Sequence, residues 1–273
     1  MSDDELVLRW PHQKSLSPTS LKTYSQCAYR IRLQYVDEIP RPDIFVPFFA
    51  IGNATHSALG TIAQQMKLGV PTIGEKEIRM LCSFHMPMHH YPSEEAWEAE
   101  VQKVLRWVDT GKRYLQRLQV EEWLLIEHWE AREIPLLPTK ARYKLGAKPD
   151  LVVRRRDEEG EPLIHIIDYK TGQVREEPDV PVIQRFALRP LLQEWTGDAS
   201  AANVRFTWIW LDENYPRDVD VSVEHCNHAW PEIMAQMESL VSEAIFAPTP
   251  GWYCRYCPYY QNYCTEEIPP QLD

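Results

Sequence analysis

Cys27 stands alone near the start of the chain, while Cys254, Cys257 and Cys264 fall within eleven residues near its end. A C-x2-C-x6-C cluster has the form of a metal site short of one ligand, and Cys27 is the natural fourth. If one metal group takes all four thiolates, the two ends of a 273-residue chain must meet in the fold. Four thiolates suit either structural Zn²⁺ or a 4Fe–4S cluster. Cys82 and Cys226 stand apart from the set and are expected to be buried packing.

With 44% hydrophobic residues and no low-complexity stretch, the chain can bury a full core. Its opening Met-Ser-Asp-Asp-Glu lacks the basic-then-apolar order of a signal peptide, and no apolar run approaches the roughly 20 residues that span a bilayer, so no membrane contact and a cytoplasmic location are expected. In such a reducing compartment six cysteines do not form a disulfide framework. The net charge of −11 argues against coating nucleic acid by bulk electrostatics. Between 140 and 156, however, Lys140, Arg142, Lys144, Lys148, Arg154, Arg155 and Arg156 face the single acid Asp150, which is either an anion-facing stripe or a solvated strand face.

Ser17-Pro18 has the form of an N-cap followed by Pro at the first helical position, and Leu21, Tyr24, Ala28, Ile31 and Tyr35 recur at helical spacing, placing Cys27 inside a first helix. Helical patterns also cover about 50–67 and 94–119, while 71–93, with His85, His89 and His90, has no regular pattern and reads as a loop over the site, an exposed insert or a further metal site. Strands are expected at 122–133, 142–156, 162–170 and 204–211, and helices near 180–196 and 229–246. The order predicts an α/β fold with a mixed central sheet flanked by helices. One domain over 1–273 is expected, with a mainly helical part (1–120), a sheet core (121–215) and a C-terminal helix with the cysteine tail (229–273).

Two strand ends carry the chemistry. Gly146-Ala147-Lys148-Pro149-Asp150 opens one arm of a hairpin and Asp168-Tyr169-Lys170-Thr171-Gly172 closes the other. Residues two apart share a strand face, so Asp168 and Lys170 point the same way. Asp150 joins them if it lies opposite Asp168 or Lys170, which requires an odd-numbered loop or a bulge, and Gly160 can supply the left-handed residue. Adjacent carboxylates repel unless a cation sits between them, which suits Mg²⁺ or Mn²⁺, and a neighbouring lysine can stabilise charge developing on a phosphate. The bland reading is that Asp168 and Lys170 merely end a surface hairpin.

The ordered set Gly52-Asn53-Ala54-Thr55-His56, Gly146-x3-Asp150, Ile166-Ile167-Asp168-Tyr169-Lys170-Thr171-Gly172 and Gln184 resembles the RecB-like branch of the PD-(D/E)XK nuclease superfamily, with its restriction-endonuclease-like fold. Ser17-Pro18-Thr19-Ser20-Leu21 before Cys27, together with the three-cysteine tail, resembles its iron–sulfur members, the AddB nuclease domain and the exonucleases of CRISPR adaptation and their phage relatives. The resemblance runs from about 15 to 265.

It implies that His56, Asp150 and Asp168 ligate a divalent metal with help from the Tyr169 carbonyl, that Lys170 is the catalytic lysine, and that Glu127, or failing it Glu130, takes part. Gln184 matches the glutamine of the helix after the lysine, but Leu188 stands where a tyrosine is usual. By its residue type alone, His56 would be an ordinary hydrogen-bonded helix residue. Spacing and resemblance together favour 4Fe–4S over zinc on Cys27, Cys254, Cys257 and Cys264, with the surrounding Trp252, Tyr253, Tyr256, Tyr259, Tyr260 and Tyr263 either shielding it or stacking on bases. The implied activity is metal-dependent DNA exonuclease action at single-stranded ends, with a helicase, a recombination system or an adaptation complex as partner. The rival is a non-catalytic DNA-end-binding or scaffold subunit.

Overall fold

Two strand pairs that step sideways at the same height organise the molecule. In the computed structural model, which describes residues 9–11, 13–42, 45–135, 142–173, 177, 179–198 and 203–264, the expected strand 122–133 is two strands, β2 (Glu122–Ile126) and β3 (Glu130–Pro135). The expected strand 142–156 is likewise split into β4 (Arg142–Ala147) and β5 (Leu151–Arg156). β3 pairs with β4, whereas β2 pairs with β5 in a different sheet. The step is made by Glu127, held at φ +51, and by Lys148-Pro149-Asp150, where proline has no N–H for a ladder. The Glu127 N–H donates to the Asp150 carbonyl at 2.9 Å and locks the two breaks together. Gly146 permits the crossing, since a Cβ there would lie 2.0 Å from the Trp129 ring.

The larger sheet has the order β2-β5-β6-β7-β8, with β6 at Pro162–Lys170, β7 at Val204–Trp210 and β8 at Tyr215–Val219. Only the β6–β7 pair is parallel, so the sheet is mixed. The smaller sheet is β1-β4-β3, with β1 at Ser15–Leu16. Leu151 pairs with Ile167, so the next position along carries Asp150 toward Asp168. The connection 157–161 is odd-numbered, as the register requires, and Gly160 supplies the left-handed residue at φ +87.

Alternation along β6 divides two cores. Ile164 and Ile166 pack with α6 (Asp179–Ala187), α7 (Arg189–Thr196), α8 (Val223–Ser242) and the smaller sheet. Ile167 and Tyr169 pack with α3 (Pro47–Leu68), α4 (Glu75–His85) and α5 (Glu94–Arg117). The helix α4 occupies much of the stretch expected to be irregular. Glu77 accepts from the Gly74 N–H at 3.0 Å to start it, and Ile78 and Cys82 form a short buried stripe. His85 closes α4 against Ser57 on α3 at 3.0 Å, and the exposed His90 stacks on Phe45 with the exposed His89 beside it. The expected helix 180–196 is broken at Leu188 into α6 and α7, and the last long helix begins at Val223, earlier than its pattern suggested. Lys140 lies outside the described residues. Among the described residues no helix is long and apolar enough to cross a membrane.

One buried polar chain crosses the sheet away from the hairpin end. Arg155 Nε donates to His165 Nδ1 at 3.0 Å, His165 Nε2 reaches Thr207 Oγ1 at 2.7 Å, and that hydroxyl donates to Asp218 at 2.5 Å. Burial first, and then the Arg155 charge, hold the His165 ring neutral down to about pH 3. An unfolded histidine takes its proton near pH 6.5, so between those values only the unfolded chain is protonated and stability rises with pH. We expect wild-type urea stability to fall by about 1.4 kcal/mol per pH unit from this group between about pH 6 and 4, and His165→Gln to lose that component of the slope. Equal slopes in the two proteins would contradict this.

Candidate active site and cysteine centre

The steps in the two strand pairs leave Glu127 and Asp150 projecting at the end of the larger sheet, where β6 finishes in Asp168, Tyr169 and Lys170. The two aspartates are cross-clamped. Asp150 Oδ2 accepts from the Tyr169 N–H at 2.6 Å, and Asp168 Oδ1 accepts from the Asp150 N–H at 3.4 Å. The Asp168 side chain, 7% exposed, also accepts from Lys170 Nζ at 3.3 Å and from Gln184 Nε2 at 3.2 and 3.3 Å. Each aspartate is thereby held in one orientation.

Helix α3 brings His56 across the top. His56 Nδ1 lies 3.0 Å from Asp150 Oδ1 and 3.6 Å from Glu127 Oε1. The approach depends on small residues one turn either side. A Cβ at Gly52 would lie 3.3 Å from Thr171 Oγ1, and one at Gly60 would lie 3.0 Å from Glu127 Cγ. Gly52, His56 and Gly60 stand at i, i+4 and i+8, on one helix face. Gly60 is a site-shaping residue that the sequence reading missed, although its spacing from His56 was there to be read. Substituting Gly60→Val is expected to push Glu127 away and to lower metal-dependent cleavage by about 10- to 100-fold with little change in melting temperature. Unchanged cleavage would show that Glu127 is not needed where it stands.

Lys148 was also missed, having been read only as part of the basic stripe. Its Nζ sits 2.6 Å from Glu127 Oε2. At the far end of the same face of α3, Phe48 and Phe49 are 55% and 47% exposed, and the Phe48 ring covers Gly172, where a Cβ would lie 3.0 Å away. Glu130, the second choice for a participating glutamate, lies beyond the step and faces His128 at 3.2 Å. Leu188 is fully buried in the core at the junction of α6 and α7.

Three carboxylates, Glu127, Asp150 and Asp168, set the protonation of the groups around them. Burial raises the Asp150 carboxyl above the usual range, against the pull of His56 and with the push of Asp168. Burial disfavours a charged His56, yet Asp150 and then Glu127 raise it to about 10. Burial likewise opposes the Lys170 charge, and Asp168 and Asp150 outweigh it, raising Lys170 above its ordinary value. Glu127 Oε1 is buried with no hydrogen-bond partner. Ligand atoms of His56, Glu127 and Asp150 all lie within 4.8 Å of one another, so this group could hold a metal ion. Two carboxylates and an imidazole suit Mg²⁺ and, through the nitrogen, Mn²⁺. Asp168 adjoins this trio through the Asp150 N–H.

At the other centre, Cys27, Cys254, Cys257 and Cys264 all line one cavity, together with Tyr253, Tyr259 and Tyr260. Cys27 and the cysteine tail do meet. Cys27 is not inside a helix: it is an extended residue, φ −159, between α1 (Pro18–Gln26) and α2 (Ala28–Ile31). Its N–H still closes α1 on the Thr23 carbonyl at 2.8 Å. The break falls inside an unbroken apolar helical pattern, which is why periodicity did not reveal it. Tyrosines tie the tail down independently of the thiols, Tyr259 Oη donating to the Ile39 carbonyl at 3.1 Å and Tyr29 Oη to the Tyr263 carbonyl at 3.2 Å. Tyr259 is 1% exposed, whereas Trp252, Tyr256 and Tyr263 are exposed.

Comparison with known proteins identifies a family. The chain matches no curated protein. Among solved structures it is similar to the one titled "Crystal structure of SSO0001", at 14% identity and a TM-score of 0.33, over 77% of this chain and 92% of that one. The family match is far broader and takes in every residue just described. Residues 15–265 match the PD-(D/E)XK nuclease superfamily, whose members are generally nucleases that use Mg²⁺ or Mn²⁺, and the chain therefore belongs to that superfamily.

Proposed function

We propose that this protein is a metal-dependent DNA exonuclease of the RecB-like branch, acting at single-stranded ends and carrying a structural 4Fe–4S cluster. The observation that carries the reading is the convergence of His56, Glu127, Asp150, Asp168 and Lys170 on one sheet end. His56, Glu127 and Asp150 would hold the divalent metal, with Asp168 and the Tyr169 carbonyl completing its surroundings. Such an ion supplies a Lewis acid for the scissile phosphate and lowers the pKa of water.

The chain's own residues do the rest. Asp168 and Gln184 keep the Lys170 ammonium aimed, so that it donates to the negative charge that develops when water oxygen attacks phosphorus and the P–O bond of the leaving nucleotide breaks. His56 and the two carboxylates fix the geometry of attack. Phe48 and Phe49, eight and seven residues before His56, lie about 12 and 11 Å from it along the helix axis. Their exposed rings offer stacking surfaces that unpaired bases can use and paired bases cannot, which supports the preference for single strands.

Cys27, Cys254, Cys257 and Cys264 would ligate the cluster. The four thiols line one cavity, and one of the four ligands lies more than two hundred residues from the other three, a spacing unlike the paired knuckles of zinc sites. A reducing, cytoplasmic setting agrees with six free cysteines. A helicase, a recombination system or a CRISPR-adaptation complex would supply the ends.

The test is incubation of 5′- and 3′-labelled single and double strands with the anaerobically purified protein and Mn²⁺ or Mg²⁺. Mononucleotide or short products released from single-stranded ends are expected. Binding of ends without any metal-dependent product would replace this reading with the non-catalytic one.

A further inference from the structure

The arginines around the larger sheet are mostly paired. Arg154 meets Glu122, Arg156 meets Glu121, and Arg205 meets Glu158. Arg132, Arg185 and Arg189 have no such partner among the described residues. Arg185 is only 6% exposed, and its burial is opposed by no carboxylate. The nearby Asp218 is occupied by Thr207 and Arg205, and Asp220 by the Ser222 N–H and His225. A guanidinium cannot shed its charge, so burying it unpaired is costly.

Arg185 opens into a cavity of about 130 Å³ that it shares with Arg189, Asn227, Phe186 and the thiol of Cys226. Arg132 comes up beside it from β3, its guanidinium 5.7 Å above the Phe186 ring and its Nε buried without a partner. Burial and the like charge of Arg189 both weigh against Arg132. Two arginines therefore line this cavity with an amide and no carboxylate, and a third stands over the Phe186 ring of its wall. We infer that this cavity binds a phosphate group, held by Arg185 and Arg189 with Arg132 and Asn227 beside it. Arginine's fork matches phosphate oxygens bidentately, and a bound dianion would offset the cost of the buried charge. The site is separate from the carboxylate centre, although Gln184, which holds Asp168, immediately precedes Arg185 on α6.

The test is the melting temperature of the full chain in EDTA, in potassium phosphate against potassium chloride at matched ionic strength. EDTA suppresses cleavage, so the result stands apart from the nuclease reading. Phosphate at a large excess over its Kd is expected to raise the wild-type midpoint by about 5 °C or more. Arg189→Gln should at least halve the rise. Arg185→Met should abolish it and, in chloride, melt no lower than wild type, because it removes an unpaired buried charge. An arginine that merely braced the fold would lower the midpoint on substitution. A short single-stranded oligonucleotide that cancels the phosphate effect identifies the nucleic-acid backbone as the source, and one that does not identifies free phosphate or a nucleotide. No rise in wild type, an undiminished rise in Arg185→Met, or a lower chloride midpoint for that variant would each overturn the assignment.

Discussion

Lys170→Ala protein is expected to degrade an end-labelled single strand about 100- to 1,000-fold more slowly than wild type in saturating Mn²⁺, with KM changed little. The magnitude is that of removing one preorganised donor from a developing oxyanion. Preorganisation is visible in the lysine's surroundings: it is 27% exposed, its Nζ sits 3.3 Å from Asp168, and Gln184 holds that aspartate from the other side. A lysine at the end of a surface hairpin would have neither partner. Structural damage is a poor alternative explanation for a loss, because Lys170 pairs in β6 through backbone that alanine keeps. Lys170→Arg is a useful companion. It retains the charge but not the compact head, and should recover only part of the rate. Wild-type rates in Lys170→Ala, with fold and iron content unchanged, would remove the lysine from the mechanism.

Cys27→Ser is expected to abolish the visible absorption of the anaerobically purified protein, to reduce bound iron from about four per chain toward zero, and to cost on the order of 5 kcal/mol in urea unfolding. The energy is that of a cross-link closing a loop of more than two hundred residues, from Cys27 to Cys254. Part of that closure survives in the tyrosine contacts at Ile39 and Tyr263, so the variant should still fold, with a loosened tail. Iron measured beside stability separates the outcomes. One tightly bound zinc and a colourless wild type would make the staple a zinc site. A variant that keeps both iron and stability would exclude Cys27 as a ligand.

The hairpin was legible because a sheet has a strict period of two. Asp168 and Lys170 had to share a face, and Gly160 in an odd connection set Asp150 against them, as the register shows. The first strand break was not legible, because no proline or glycine marks Glu127-His128-Trp129, whereas Pro149 did mark the second and was read as part of a strand. Glu127 adopts φ +51 only because its N–H finds the Asp150 carbonyl, a partner distant in sequence. The same holds for Cys27, whose extended backbone interrupts an apolar repeat that by itself continues through Tyr35. Leu188 read as a departure from a motif, whereas in the fold it is core at a helix junction.

By itself the sequence determined the α/β order, the chemistry of the carboxylate–lysine hairpin and the demand that the chain's ends meet, since these follow from local periodicity, residue type and spacing. Tertiary structure alone decided that Lys148 joins Glu127 at the site, that Gly60 lets the helix approach, and that Arg132 of one sheet stands over the wall of a cavity lined by Arg185 and Arg189 without a counter-ion. Those are contacts between segments far apart in the chain, fixed by how two sheets and two helical layers pack, and no local pattern encodes them.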